Sequence, residues 1–259
     1  SFVDPTIGFL MKKIKGNNIT FKTQIPALVD LAPPVPASQM IPDWFQKLKM
    51  DLPRYDKQPF PVVGNILKKW SSHTIKKCPA VVDYFAEGYI IPLWSDIFIQ
   101  RHGDDFHFET NHDQGIGSTI EFHDEAQFKT YPFKRKDLRR AVKFTSPWFF
   151  YTPPGWSMLF IPPLLHPNND FTLFPGIVET DSFHQVNFPG VWHSEGDRIL
   201  QRGDAFLHVI PFKRSKHKLQ VEEFMQEDYQ NNTDESFRLR SKMTNGYRDI
   251  TRRNKKKWK

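Results

Sequence analysis

Hydrophobic and polar positions alternate most regularly from Lys143 onward. KFTSPWFFYTPPGWSMLFIPP (143–163) consists of apolar runs of strand length separated by Pro, Gly and Ser clusters, the pattern of short strands joined by tight turns. TLFPGIVETDSFHQVNF (172–188) and ILQRGDAFLHVIPF (199–212) repeat it, each a turn feeding an apolar run. Upstream, IFIQRHGDDFHFE (97–109) alternates on both sides of HGDD, which predicts a hairpin, and STIEFHDEAQF (118–128) starts as a strand and then turns. KKCPAVVDYFAEGYIIPLWSDIFI (76–99) predicts a short helix from Pro79 to Glu87, closed by Gly88, with a strand through Ile99.

The two ends break the pattern. DLAPPVPASQMIPDWFQKLK (30–49) is a proline-rich extended connection leading into a short helix near Pro42. Asp43 lies in that helix's first turn, and Ile41, Trp44, Phe45 and Leu48 share one face. After about Val221 the chain is charged and helix-compatible. The expected fold is therefore mainly β, with a β-barrel or jelly-roll-like core over 60–215. An N-terminal Pro-rich arm (1–59) and a charged, helical, basic C-terminal tail (216–259) flank it.

Composition supports the core: 24 Phe, 7 Trp and 7 Tyr supply residues that favour strands. The net charge of +7 is concentrated at one end, because residues 245–259 hold seven Lys/Arg and one Asp. The body is nearly neutral, so aromatic and basic residues are not interleaved as single-stranded nucleic acid requires. Any phosphate affinity is confined to residues 248–259. Cys78 is the sole cysteine, which excludes an intrachain disulfide. No signal-peptide-like or membrane-length apolar run is present, so the expectation is a soluble protein without membrane partners.

Two resemblances bear on function. The order in 143–214, with GIVETDSF followed by GDAFLHVIPF, resembles the β-clip fold of dUTPases and dCTP deaminases. That resemblance implies a deoxynucleotide site with Glu179 in the place of the water-activating carboxylate, Asp181 beside it and Phe183 stacking on the sugar. Ser157 in PPGWS and His184 fall beside the same ligand, although the family's Arg-Ser-Ser phosphate motif and glycine-rich C-terminal arm have no counterpart. More broadly, about 70–215 is similar to a group of proteins with no assigned chemistry, carried by myovirus-type phages of marine cyanobacteria and by some bacteria. This likeness implies a phage or marine metagenomic source, a place in the host cytoplasm or virion, and other phage proteins or a second copy as partners.

A rival chemistry lies in RHGDDFHFETNHDQ (101–114) with His123 following. His107 and Glu109 share a strand face, and with His102 and His123 they offer the donors of a cupin-like iron site using 2-oxoglutarate. Neither the cupin glycines nor the distal His–Arg pattern is present. The sequence specifies no cofactor. The leading expectation is a β-clip-like binding or assembly module. A virion structural or assembly protein is the first alternative, and a deoxynucleotide hydrolase or metal-dependent oxygenase the second.

Overall fold

The computed structural model describes residues 18–53, 71–103, 105–110, 119–132, 140–226, 229–230 and 233. In chain order its strands are β1 (Thr20–Thr23), β2 (Val35–Pro36), β3 (Asp51–Pro53), β4 (Ser71–His73), β5 (Tyr89–Pro92), β6 (Ile97–His102), β7 (Asp105–Thr110) and β8 (Ile120–Phe122). They continue with β9 (Arg140–Phe144), β10 (Trp148–Tyr151), β11 (Trp156–Ile161), β12 (Phe171–Leu173), β13 (Gly176–Val178), β14 (Phe188–Trp192), β15 (Gly196–Leu200) and β16 (Ala205–Lys213). Short helices α1 (Leu28–Leu31), α2 (Asp43–Lys47) and α3 (Pro79–Ala86) interrupt them. Among the described residues no helix is long and apolar enough to cross a membrane.

The chain forms two compact units, one of the segment up to Pro42 with Ala86–Arg214, the other of Asp43–Phe85 with the segment from Ser215. In the first unit, all described pairings are antiparallel. A five-stranded sheet has the order β13-β11-β16-β5-β2, a four-stranded sheet β12-β14-β9-β8, and a three-stranded sheet β15-β6-β7. β1 pairs with β10, so the N-terminal arm contributes two strands, β1 and β2, to this unit.

The expected barrel is not formed among the described residues. The five-stranded sheet ends in β13, three residues long, and β2, two residues long, and neither can carry a ladder round to the next sheet. The five-stranded and four-stranded sheets meet through aromatic rings instead. Phe206 of β16 meets Phe144 of β9 at 4.9 Å between centroids, and Phe160 of β11 meets Phe188 of β14 at 5.8 Å. Phe150 lies edge-on to Phe160 at 5.1 Å, in the geometry that ring quadrupoles favour.

The predicted strand through Ile99 is two strands in different sheets. β5 ends at Pro92, and Leu93–Asp96 is held by the RGD turn instead of a neighbouring strand. Leu93 N donates to Asp204 O at 2.8 Å, Gly203 N to Leu93 O at 2.8 Å, and Arg202 N to the Asp96 carboxylate at 2.8 Å. The 97–109 hairpin forms as expected, from Ile97↔Thr110 to His102↔Asp105. Its inward positions on β6 are Ile97, Ile99 and Arg101, and the arginine is fully buried. The Arg101 Nε donates to Gly103 O at 3.0 Å and lies 4.0 Å from the Glu195 carboxylate.

In the second unit α2 begins at Asp43 as expected, with Phe45 buried and in ring contact with Phe85 at 4.6 Å. β3 pairs with β4, and the Lys77 ammonium meets the Asp51 carboxylate at 2.7 Å. The expected C-terminal helix is absent from Ser215–Met225, which is irregular; a helical bond from Tyr229 N to Met225 O starts beyond it. The basic segment 248–259 lies outside the described residues.

Candidate functional site

The turn after β13 is where the deoxynucleotide reading places its chemistry. Glu179 O accepts from Ser182 N at 3.0 Å and Phe183 N at 2.9 Å, which closes a tight turn. Asp181 is its anchor. Its carboxylate takes both guanidinium nitrogens of Arg214, at 2.5 and 3.0 Å, and the Gly155 N–H at 2.8 Å. The same arginine donates to Trp156 O at 2.8 Å and to the buried Ser157 hydroxyl at 3.1 Å. One cation thus ties the end of β16 to two turns, with the two-point geometry that suits guanidinium to carboxylate.

Those hydrogen bonds from Arg214 hold the Asp181 carboxyl below the ordinary carboxylate range, against an opposing push from burial, and the Gly155 N–H adds to the lowering. A carboxylate so engaged is a poor proton acceptor. Glu179 is the freer of the two, 66% exposed and 3.7 Å from Arg214, while Phe183 is 60% exposed at the turn. His184 faces elsewhere: its Nδ1 lies 3.1 Å from Thr180 O, and its ring stacks on Tyr151 at 4.0 Å. The structure therefore brings Asp181, Ser157 and Glu179 together around Arg214, a residue the sequence reading left out. No motif marks Arg214 in the sequence, because it stands 33 positions from its partner.

Asp181→Asn is expected to lower Tm by about 5 °C at pH 7, since hydrogen bonds to charged groups are the stronger class. Asp181 contributes this stability above its ordinary pKa, and loses it as pH falls through its depressed folded value. The gap between wild type and variant should close in strong acid, measured by thermal unfolding from pH 7 to pH 2.

The histidines of the iron reading are apart in their surroundings. His102 ends β6 and sits 3.6 Å from the Asp197 carboxylate. His107 and Glu109 are exposed on one face of β7, as the alternation predicts. His123 instead bonds Gln127 Oε1 through Nδ1 at 2.8 Å and packs on Phe128. Among the described residues no three His, Cys, Asp or Glu side chains are grouped to hold a metal; Asp104 and 111–118 lie outside them.

A further concave feature lies elsewhere in the first unit. A cleft of about 630 Å³ opens between the HPNND loop (166–170), β15 and the start of β16. Its size falls among small-molecule pockets, about 300–1,000 Å³. The loop preceding it is strained. Leu164 N donates to Pro162 O at 2.7 Å, and Leu165 takes φ +69°, a left-handed conformation that disfavours a bulky side chain. This tight turn delivers His166 to the wall. Next, Asn168 Oδ1 accepts from Asp170 N at 2.9 Å, fixing the loop locally. Asp170 in turn accepts from Ser194 Oγ at 2.5 Å and Arg198 Nε at 3.0 Å through one oxygen. The floor is apolar, formed by Leu93, Phe171, Leu200 and Phe206.

Burial pushes the His166 imidazole below its ordinary range, and the nearby His208 adds to it. His208 is itself lowered by burial, although a 2.6 Å bond to the Glu87 carbonyl pulls it partly back. Both shifts favour the neutral ring in the folded chain. The unfolded chain binds more protons below about pH 6.5, so stability is full above that value and is lost as pH falls through the depressed folded values. We expect Tm to drop between pH 7 and pH 5, and His208→Gln, which retains a donor for Glu87 O, to flatten that slope.

The sequence signal for this cleft was the composition of the loop itself. HPNND reads as a connection, yet it packs a histidine, two amides and a carboxylate into five positions. Arg198 and Asp204 reach the same cleft only through the sheet pairing. No protein-family profile matches the chain, and no curated protein matches it in sequence.

Proposed function

We propose that the protein is a binding module that seats a small polar ligand in the cleft bounded by the HPNND loop. The observation that carries this reading is the convergence, in one cleft, of the HPNND loop, which the strained Leu165 turn feeds, and the Asp170–Ser194–Arg198 network. Strain held in place by its surroundings and polar groups set over an apolar floor are features of ligand sites. The likeness of about 70–215 to the cyanophage protein group supports a phage setting, and a module of this kind serves in the host cytoplasm or in the virion.

The test is a thermal-shift screen of wild type and Ala205→Trp, which places a bulky ring at the cleft wall, against a panel that includes nucleotides, organic acids, amines and sugars. A ligand at a hundred times its Kd adds about 2.7 kcal/mol, a rise of roughly 5–10 °C for a domain this size. The expected result is a rise in wild type that Ala205→Trp abolishes. A rise retained in the variant, or none with any compound, overturns the reading.

A second reading, an assembly role, rests on the segment after Ser215. Leu219, Val221, Phe224, Met225 and Tyr229 are between 60% and 92% exposed within eleven positions, an apolar strip of the kind that partners cover. If a second copy covers it, the wild type sediments as an oligomer and Phe224→Ser as a monomer. A monomeric wild type removes that reading.

A further inference from the structure

We infer that the ligand of this cleft is an uncharged, hydroxyl-rich molecule of saccharide size; the inference rests on the reading of the cleft as a ligand site. Asp170, Asp204 and Arg198 are the charged groups in the wall, two carboxylates against one guanidinium. The arginine is already committed, through Nε to Asp170 and through NH1 to the Asp197 carbonyl at 2.7 Å. An anion such as a nucleotide or sugar phosphate would meet a wall of net negative charge whose one cation is already paired with Asp170.

An organic cation fares little better. Asp170 is paired with Arg198 and accepts from the Ser194 hydroxyl, which leaves the exposed, solvated Asp204 as the remaining charge. Exposed ion pairs of that sort contribute at most about 1 kcal/mol. The aromatic rings of the floor, Phe171 and Phe206, are 8% and 2% exposed, so neither presents an open face to a cation.

What the wall does offer is donors and acceptors interspersed. Asn168 uses its carbonyl oxygen within the loop, toward Asp170 N and Phe171 N, and so retains its amide N–H donors. Asn169 adds an amide of both kinds. A carboxylate such as Asp204 can accept from two neighbouring hydroxyls through its two oxygens. Beside these groups stands the side chain of Ile199, 64% exposed, as the accessible apolar surface. A sugar ring has the matching division, hydroxyls around its rim and C–H groups on its face, and it fits a cleft of about 630 Å³ with room for a second ring.

The experiment is titration calorimetry of the full chain with a panel of neutral mono- and disaccharides, with glucose 6-phosphate and dUTP as anions and spermidine as the cation. Each binding compound is then repeated on Ala205→Trp and on Asp204→Asn. The second variant alters one exposed carboxylate and keeps the inference testable if the first misfolds. The expected result is binding of a neutral saccharide that Asp204→Asn weakens about threefold and Ala205→Trp abolishes. Binding of an anion or of spermidine, lost in Ala205→Trp, overturns the ligand class while leaving the cleft as the site. Absence of binding by all compounds, or saccharide binding that neither variant changes, overturns the ligand class and the site together.

Discussion

Gly88→Ala is expected to destabilise the first unit by about 4 kcal/mol and to lower Tm by roughly 10 °C or more. Two effects add at this position. Gly88 follows α3 with φ +71°, where a Cβ costs about 1–2 kcal/mol. That Cβ would also stand 2.2 Å from the carbonyl oxygen of Val209, and 3.1 Å from its carbonyl carbon. The obstacle is backbone of β16, the central strand of the five-stranded sheet, so no side chain can swing aside to relieve it. The control is Gly155→Ala, where φ is +81° and nothing lies within 4 Å of the added carbon. There the conformational cost acts alone, about 1 kcal/mol. Equal losses in the two variants, measured by urea unfolding, would show that the close approach to Val209 has no energetic weight.

The second large effect is expected at Glu195. Arg101 is fully buried, and the Glu195 carboxylate 4.0 Å away is an acidic neighbour, while the other oxygen of Glu195 accepts from Gly103 N at 2.6 Å. Glu195→Ala removes both interactions and leaves the guanidinium buried without that counter-charge. Removing one partner of a buried pair typically costs about 3–5 kcal/mol. Glu195 is 43% exposed, so we expect the lower end, about 3 kcal/mol, and a Tm lower by roughly 6–12 °C. Arg101→Met, which removes the buried charge itself and fills much of its volume, should cost less, because the desolvation of the ion disappears with it. The order of the two variants in a chemical denaturation series is the diagnostic. If Arg101→Met is the more damaging, the Gly103 carbonyl bond and packing of the arginine outweigh its charge.

The fate of the two candidate sites follows from how far apart their parts lie in the chain. Glu179, Asp181 and Phe183 sit together in sequence, so a carboxylate pair beside a ring was visible from the string alone. Its balance of charge was not, because Arg214 arrives from the far end of β16 and turns Asp181 into an anchor. The cleft shows the converse. His166, Asn168 and Asp170 were visible as a loop, but Ser194, Arg198 and Asp204 join them only when β12 pairs with β14 and β15 with β6.

Local alternation and turn chemistry were sufficient for the β class, for the 97–109 hairpin, for the helix at Asp43 and for the helix that Gly88 closes. Each is governed by residues within a few positions of one another, where side-chain period and backbone preference act directly. The open sheets in place of a barrel, the break at Leu93–Asp96, the buried Arg101 and the ion network of Arg214 were decided by the tertiary structure. Those features depend on which strands pair and in what register, and periodicity along one strand carries no information about its neighbour. The aromatic core shows both levels at once: abundance of Phe signalled burial, but only the packing of β9 and β14 on β11 and β16 determined which rings meet.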